Sequence, residues 1–270
     1  MSSVTDTTAT SPDAVSENAA VEPRFEGHVA IVTGAAQGLG LATAELLAAS
    51  GAAVALFDLN QERVDAESAR LASAGMAVES VAADLTDQDE THKAVSQVLD
   101  RHGRVDILVN LAAIYSFCSF EEMTFDYWHR TIAATLDTTF CCCKAVLPHM
   151  KAAGYGRIVN TSSGAVLMGA PETAPYTAAK AGIIGFSRVL AREVGPHGIT
   201  VNVIMPGLIG TEHALESVDD AGRQATIAMQ SVPRLGEPAD IANAIAFLVS
   251  RESGFVTGQT VNVGGGINYI

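Results

Sequence analysis

Spaced cysteines are what this chain most plainly lacks. Its four, Cys118, Cys141, Cys142 and Cys143, include three in a row. Neither a disulfide framework nor the C-x-x-C spacing of a metal site can be read from them, so no metal is expected. They read as small buried or half-buried helix residues in a reducing compartment. Aromatic residues are also scarce, 6% of 270. Ala, Val and Gly do much of the filling, which suits close helix-on-sheet packing better than a β-sandwich. Cations are few: 16 Lys and Arg against 30 Asp and Glu leave a formal net charge of −14. Such a surface repels phosphate backbones and argues against a nucleic-acid partner. No uncharged run of 18 apolar residues occurs, so no membrane span is expected. Residues 1–24 lack the basic start and apolar middle of a signal peptide, and their Ser, Thr, Ala, Asp and Glu predict a disordered tail. The expected location is the cytoplasm.

What is present is a regular alternation. Short β-rich runs, HVAIVT to Thr33, AAVALFD to Asp58, MAVESVAA to Ala83, VDILVN to Asn110, GRIVNTS to Ser162, ITVNVIMP to Pro206 and TVNV near Val263, are separated by helical patterns. These patterns cover LGLATAELLAAS and residues 61–74, 87–102, 125–153, 176–195 and 239–250. Several strands are almost wholly apolar, as in a sheet covered on both faces. The repeated strand–helix order predicts an α/β fold with a Rossmann-like, doubly wound parallel sheet. No linker or fixed-period repeat interrupts 25–270, which reads as one domain.

TGAAQGLG, Thr33 to Gly40, lies between the first strand and a helix, where a dinucleotide fingerprint belongs. Its glycines, Gly34, Gly38 and Gly40, permit a tight turn and a close approach to a pyrophosphate. The helix start offers that anion free N–H groups and the positive end of a dipole. The spacing differs from G-x-G-x-x-G. The next strand ends at Asp58, 18 residues beyond Gly40. A carboxylate there can accept from a ribose 2′-hydroxyl and would repel a 2′-phosphate. At about 4 Å and an effective dielectric of 20 that repulsion is roughly 4 kcal/mol. No Arg or Lys in 33–40 offsets it, so the cofactor expected is NAD rather than NADP.

Farther on, Tyr176 and Lys180 stand four residues apart in a helical pattern and project from one face. A phenol with an ordinary pKa of about 10 is a poor base. A neighbouring ammonium stabilises the phenolate and a positively charged nicotinamide adds to that, so together they are expected to draw Tyr176 down toward the range of a general base.

TGAAQGLG, Asp58 and the Ser163…Tyr176-x-x-x-Lys180 set together resemble the short-chain dehydrogenase/reductase family, from about residue 27 to the C-terminus. AADLTD, with Asp84 and Leu85, resembles the family's segment beside the adenine. VNLAA, with Asn110, resembles its Asn-Asn-Ala-Gly segment, and VNVIMPGLIGT its Pro-Gly motif beside the nicotinamide. TGQTVNVGGG resembles its C-terminal strand. The resemblance implies a seven-stranded sheet and a homotetramer or homodimer, with helices near 125–153 and 176–195 at one interface. It implies cofactor contacts at Gly34, Gln37, Gly38, Leu39, Gly40, Asp58, Asp84, Leu85, Asn110, Tyr176, Lys180, Pro206, Gly207, Ile209 and Thr211. It also implies that Ser163, 13 residues before Tyr176, holds the substrate oxygen, Ser162 being the neighbour most easily confused with it. Tyr176 would exchange a proton with a secondary alcohol while its carbon exchanges a hydride with NAD.

Departures accompany the match. Leu111 and Ala113 replace the family's second Asn and its Gly. Thr135 stands where the family carries an Asn that helps hold a water between the lysine and solvent. The Thr135 hydroxyl is expected to bond one turn back, bending its helix and leaving room for that water. Tyr115, Phe117, Val166, Leu167 and Met168 are expected to line an apolar substrate pocket, and residues 208–231 to form a weakly patterned mobile lid. The substrate expected is a small molecule: an apolar secondary alcohol or ketone, aryl, alicyclic or steroid-like. A sugar or polyol is the next choice, served by Ser116, Ser119 and Glu172. No basic cluster that would hold a CoA or a carrier-protein phosphopantetheine is seen, and carrier-protein ketoacyl reduction, third among the enzyme readings, is disfavoured by Asp58. A catalytically weak NAD-binding regulator is the alternative from outside enzymology.

Overall fold

A computed structural model describes residues 24–269. The tail expected over 1–24 lies outside these residues except for its last position. Seven strands form one parallel sheet: β1 (Val29–Thr33), β2 (Ala53–Asp58), β3 (Val78–Ala82), β4 (Ile107–Asn110), β5 (Gly156–Thr161), β6 (Ile199–Pro206) and β7 (Thr260–Val263). Their order is β3-β2-β1-β4-β5-β6-β7. The order reverses between β1 and β4, which opens a crevice at the carboxyl ends of the strands.

The apolar runs form central strands because both faces are covered. Along β1, Ala30 and Val32 face one core and Val29 and Ile31 the other. On the first face, α1 (Gly38–Ala49), α2 (Gln61–Ser73) and α10 (Pro238–Leu248) bring Leu47, Leu71 and Ile245 against the sheet. On the second, α3 (Gln88–His102), α5 (Thr138–Ala153) and α7 (Ala174–Val194) bring Val98, Met150 and Leu190. The Cys142 and Cys143 thiols lie in this second core. Burial raises both their pKa values, that of Cys143 to about 12.

Two segments differ from the pattern read in the sequence. Residues 125–153 are not one helix. A π-helical turn at Ala133–Asp137 separates α4 (Phe125–Ile132) from α5. Threonine hydroxyls add bonds to its carbonyls: Thr138 Oγ1 donates to the Ala133 oxygen, which also accepts the Thr138 N–H, and Thr139 Oγ1 to that of Thr135, each hydroxyl bond at 3.0 Å. The Thr135 hydroxyl, expected to make such a bond, is fully buried with no partner among the described residues. The stretch 208–231 is ordered into α8 (Glu212–Ser217) and α9 (Asp220–Met229), capped by the side chains of Thr211 and Asp219. A short helix, α6 (Ala165–Met168), precedes α7. No helix among the described residues is long and apolar enough to cross a membrane.

Candidate active site

The crevice at the strand ends is a cavity of about 590 Å³. Its first part is the glycine loop. Gly34 has φ +66°, and a Cβ there would lie 3.0 Å from the Ala112 backbone. A Cβ on Gly40 would overlap the Gly34 carbonyl. Side chains at either position would force the loop out of the cradle. No side chain caps the start of α1, and no acidic residue stands in its first turn. Its leading N–H groups therefore remain available to an anion. Asp58 is aimed by backbone donors: Ala36 N–H to Oδ2 at 3.1 Å and Asn60 N–H to Oδ1 at 2.9 Å. This groove suits a dinucleotide, with glycine backbone for a pyrophosphate and a held carboxylate for a ribose.

The second part is the junction of β5 and α7. Pro175 stands in the first turn of α7, where its fixed φ fits and no amide is missed. Tyr176 and Lys180 follow in the same turns, 9% and 2% exposed. Two bonds lock this helix to the strand end. Lys180 Nζ donates to the Thr161 carbonyl at 2.7 Å, and Ser162 Oγ donates to the Lys180 carbonyl at 2.9 Å. The Ser162 hydroxyl is thus engaged, while Ser163, half-buried, faces the cavity beside Tyr176. Lys180 Nζ lies 5.6 Å from the centre of the Tyr176 ring.

The acid–base balance of this pair, without a nicotinamide beside it, is set by burial. Burial pushes its phenol up to about 12; the Ser163 hydroxyl favours the phenolate and only partly offsets this, and Tyr115 adds to the rise. Burial also brings Lys180 down to about 7. The protein's own groups therefore keep the phenol protonated at neutral pH, the form that donates a proton to a carbonyl becoming an alkoxide.

Gly34, Gln37, Gly38, Leu39, Gly40, Asp58, Asp84, Leu85, Ser163, Tyr176, Lys180, Pro206, Gly207, Ile209 and Thr211 all line this one cavity. Asn110 and Thr135 do not. The Asn110 side chain turns between strands and donates to Asn160 Oδ1 at 2.8 Å, and Thr135, within the π turn, is fully buried. Of the expected apolar lining, Tyr115 and Met168 face the cavity, whereas Phe117, Val166 and Leu167 do not. Sequence reasoning missed Ala134, Thr138, His213, Thr226 and Ile267, which face it from the π turn, α5, the two lid helices and the chain's end. His213 and Thr226 lie within the expected lid, 208–231, and Ala134 and Thr138 flank Thr135, so the signals that could have found these four were nearby; Ile267 had none.

Comparison with known proteins agrees with this architecture. The family model described as Enoyl-(Acyl carrier protein) reductase matches residues 34–268. The hydroxy(phenyl)methylsuccinyl-CoA dehydrogenase subunit BbsD of Thauera aromatica is 41% identical over 242 residues, covering 90% of this chain and 97% of that one. The chain belongs to the short-chain dehydrogenase/reductase family. Another relative, the 3-oxoacyl-acyl-carrier-protein reductase FabG of Vibrio cholerae, is 40% identical over 91% of this chain and 99% of its own. Among solved structures, a glucose/ribitol dehydrogenase from Brucella melitensis superposes with a TM-score of 0.86 at 38% identity. It covers 92% of this chain and 100% of that one. This short-chain dehydrogenase/reductase is accordingly an oxidoreductase, of a family that acts on CH–OH and keto groups with a nicotinamide cofactor.

Proposed function

We propose that the protein interconverts an apolar secondary alcohol, aryl, alicyclic or steroid-like, and its ketone, using NAD(H). The observation that carries this reading is one cavity in which a carboxylate-ended dinucleotide groove leads to Ser163, Tyr176 and a buried Lys180. The glycine loop, Gln37 and Leu39 would hold the pyrophosphate side, Asp58 the adenosine ribose, and Asp84 and Leu85 the adenine. Lys180 and Tyr176 would hold the second ribose, and Pro206, Gly207, Ile209 and Thr211 the nicotinamide. A bound nicotinamide supplies the hydride chemistry. Ser163 holds the substrate oxygen by a hydrogen bond, and Tyr176 moves the proton at that oxygen. With the phenol protonated at neutral pH, ketone reduction should proceed there directly, and alcohol oxidation should quicken as pH rises.

The apolar reading is supported by the engagement of the nearby hydroxyls. Ser116 Oγ is bonded to the Tyr127 hydroxyl at 2.7 Å and Ser119 Oγ to Glu122 at 3.1 Å. The relative BbsD is named for a substrate bearing a hydroxy(phenyl)methyl group. The similarity to the Brucella glucose/ribitol dehydrogenase keeps a sugar or polyol as the second reading. Exposed Phe125, Phe140 and Val189 on α4, α5 and α7 support a homo-oligomer. The test is a panel of secondary alcohols and ketones assayed with NAD(H) and NADP(H) in parallel. We expect at least about tenfold preference for NAD(H), as a fraction of the charge repulsion at Asp58 suffices, and loss of most of it in Asp58→Ala. Equal efficiency with both cofactors overturns the NAD assignment. No turnover in either direction replaces the enzyme with an NAD-binding regulator.

A further inference from the structure

Beyond Tyr176 the cavity is closed by a loop and a lid that meet. The loop, residues 111–120, leaves β4 and is held in three ways. The Ser116 hydroxyl pins it to Tyr127 of α4. The Cys118 amide donates at 2.9 Å to the carbonyl of Glu172, the one non-glycine residue with positive φ (63°) among the described residues. From the lid, His213 Nε2 donates to the Tyr115 carbonyl at 3.1 Å. The Tyr115 ring then sits among three others, all edge-to-face. Its centre lies 4.7 Å from that of Tyr176 at 68°, 5.0 Å from that of Phe117 at 71°, and 6.3 Å from that of His213 at 85°.

Two consequences bear on a ligand. A group on a carbon whose oxygen rests against Tyr176 and Ser163 can lie against the Tyr115 ring, which adjoins Tyr176. Ala112, Ile114, Met168 and Leu208 add aliphatic lining to the same cavity, whose polar side chains include Thr138, His213 and Thr226. An aliphatic wall accepts any hydrophobic group of the right size. An aromatic ring fixed in place distinguishes ligands, because it favours another ring in offset or edge-to-face contact.

We infer that Tyr115, held by His213, is a specificity-determining residue that selects an aryl group on the reacting carbon. The inference deepens the proposed function and rests on it. His213 is a positioning residue: it acts through the Tyr115 backbone and closes the lid on the loop.

The probe is a matched pair, 1-phenylethanol and 1-cyclohexylethanol, alike in carbon skeleton but not in π character. The ratio of their kcat/KM values should favour the phenyl compound by about three- to tenfold. Tyr115→Leu should bring the ratio close to one, with Tyr115→Met in its place if the Leu variant does not fold. Tyr115→Phe should restore the ratio. His213→Ala should lower it and His213→Gln, which keeps a donor, should recover it. A purely structural role for either residue would depress both substrates together and leave the ratio unmoved, which overturns the inference. So does a ratio of one in the unmodified protein. If no alcohol or ketone is turned over, the proposed function fails separately. Calorimetric binding of acetophenone against cyclohexyl methyl ketone, with NADH present, then decides: the same preference, lost in Tyr115→Leu, supports the inference, and equal affinities overturn it.

Discussion

The two walls of the cavity are built differently. On one side Thr161, Ser162 and the first turns of α7 are buried, and two internal hydrogen bonds lock Lys180 to the strand end. On the other, neither α8 nor α9 has a buried residue. Polar ties of that side include the His213–Tyr115 bond and an Arg63–Glu212 ion pair whose side chains are 41% and 61% exposed. A surface pair of this kind contributes at most about 1 kcal/mol. The contrast separates two tasks. Groups whose spacing sets a proton transfer belong on packed elements, and groups that enclose a ligand belong on elements that can open.

The strongest way to break this comparison is Tyr176→Phe. The ring keeps its packing and the proton carrier is lost. Turnover should fall at least about a thousandfold, roughly 4 kcal/mol, while NADH affinity by fluorescence titration stays within about threefold. Near-normal turnover would move the chemistry away from the buried wall.

Next in size is the effect of pH on stability through Lys180. Burial brings its pKa from 10.5 to about 7. Between those values the unfolded chain binds a proton that the folded chain does not, so this group makes stability rise with pH across that window. Below about pH 7 both states are protonated and the slope vanishes. Thermal midpoints at about pH 7 and about pH 9 should therefore separate more in the unmodified protein than in Lys180→Met. Equal separations would show that Lys180 keeps its full charge in the buried wall.

A smaller effect is expected at Thr135. Its hydroxyl is buried without a partner among the described residues. Thr135→Val, similar in shape, should stabilise the protein by about 1 kcal/mol, a rise of roughly 2–4 °C in Tm. A loss of stability would mean that the hydroxyl has a partner, such as a trapped water. The smallest effect sharpens the lid side. Arg63→Ala should hasten NADH release in stopped-flow measurements by less than about fivefold, the limit set by a surface ion pair. A much larger acceleration would make the lid a stronger closure than its exposure indicates.

Much of this molecule was legible in order and spacing. ITVNVIMP matches β6 residue for residue, Ile199–Pro206. TGAAQGLG and Asp58 meet in one groove because consecutive strands of a parallel sheet end on the same side. The lid helices were harder to read. Their caps, Thr211 and Asp219, were visible, but neither helix has the buried stripe that gives a helical pattern its period. The π turn was not legible either, because the threonines four and five residues on that bond its carbonyls fit an unbroken helix equally well. Asn110 sits at the expected strand end, yet a partner 50 residues away turns its side chain inward.

The sequence by itself therefore determined the alternation of strands and helices, the glycine cradle, the carboxylate beyond it and the one-turn spacing of Tyr176 and Lys180. Each depends on residues near one another in the chain, where backbone geometry links residue type to position. The tertiary structure alone decided that α7 is bonded to the end of β5, that Tyr115 stands between Tyr176 and His213, and that burial raises the tyrosine's pKa and lowers the lysine's. These depend on groups far apart in sequence, and on desolvation, which exists only once the fold has removed water from around them.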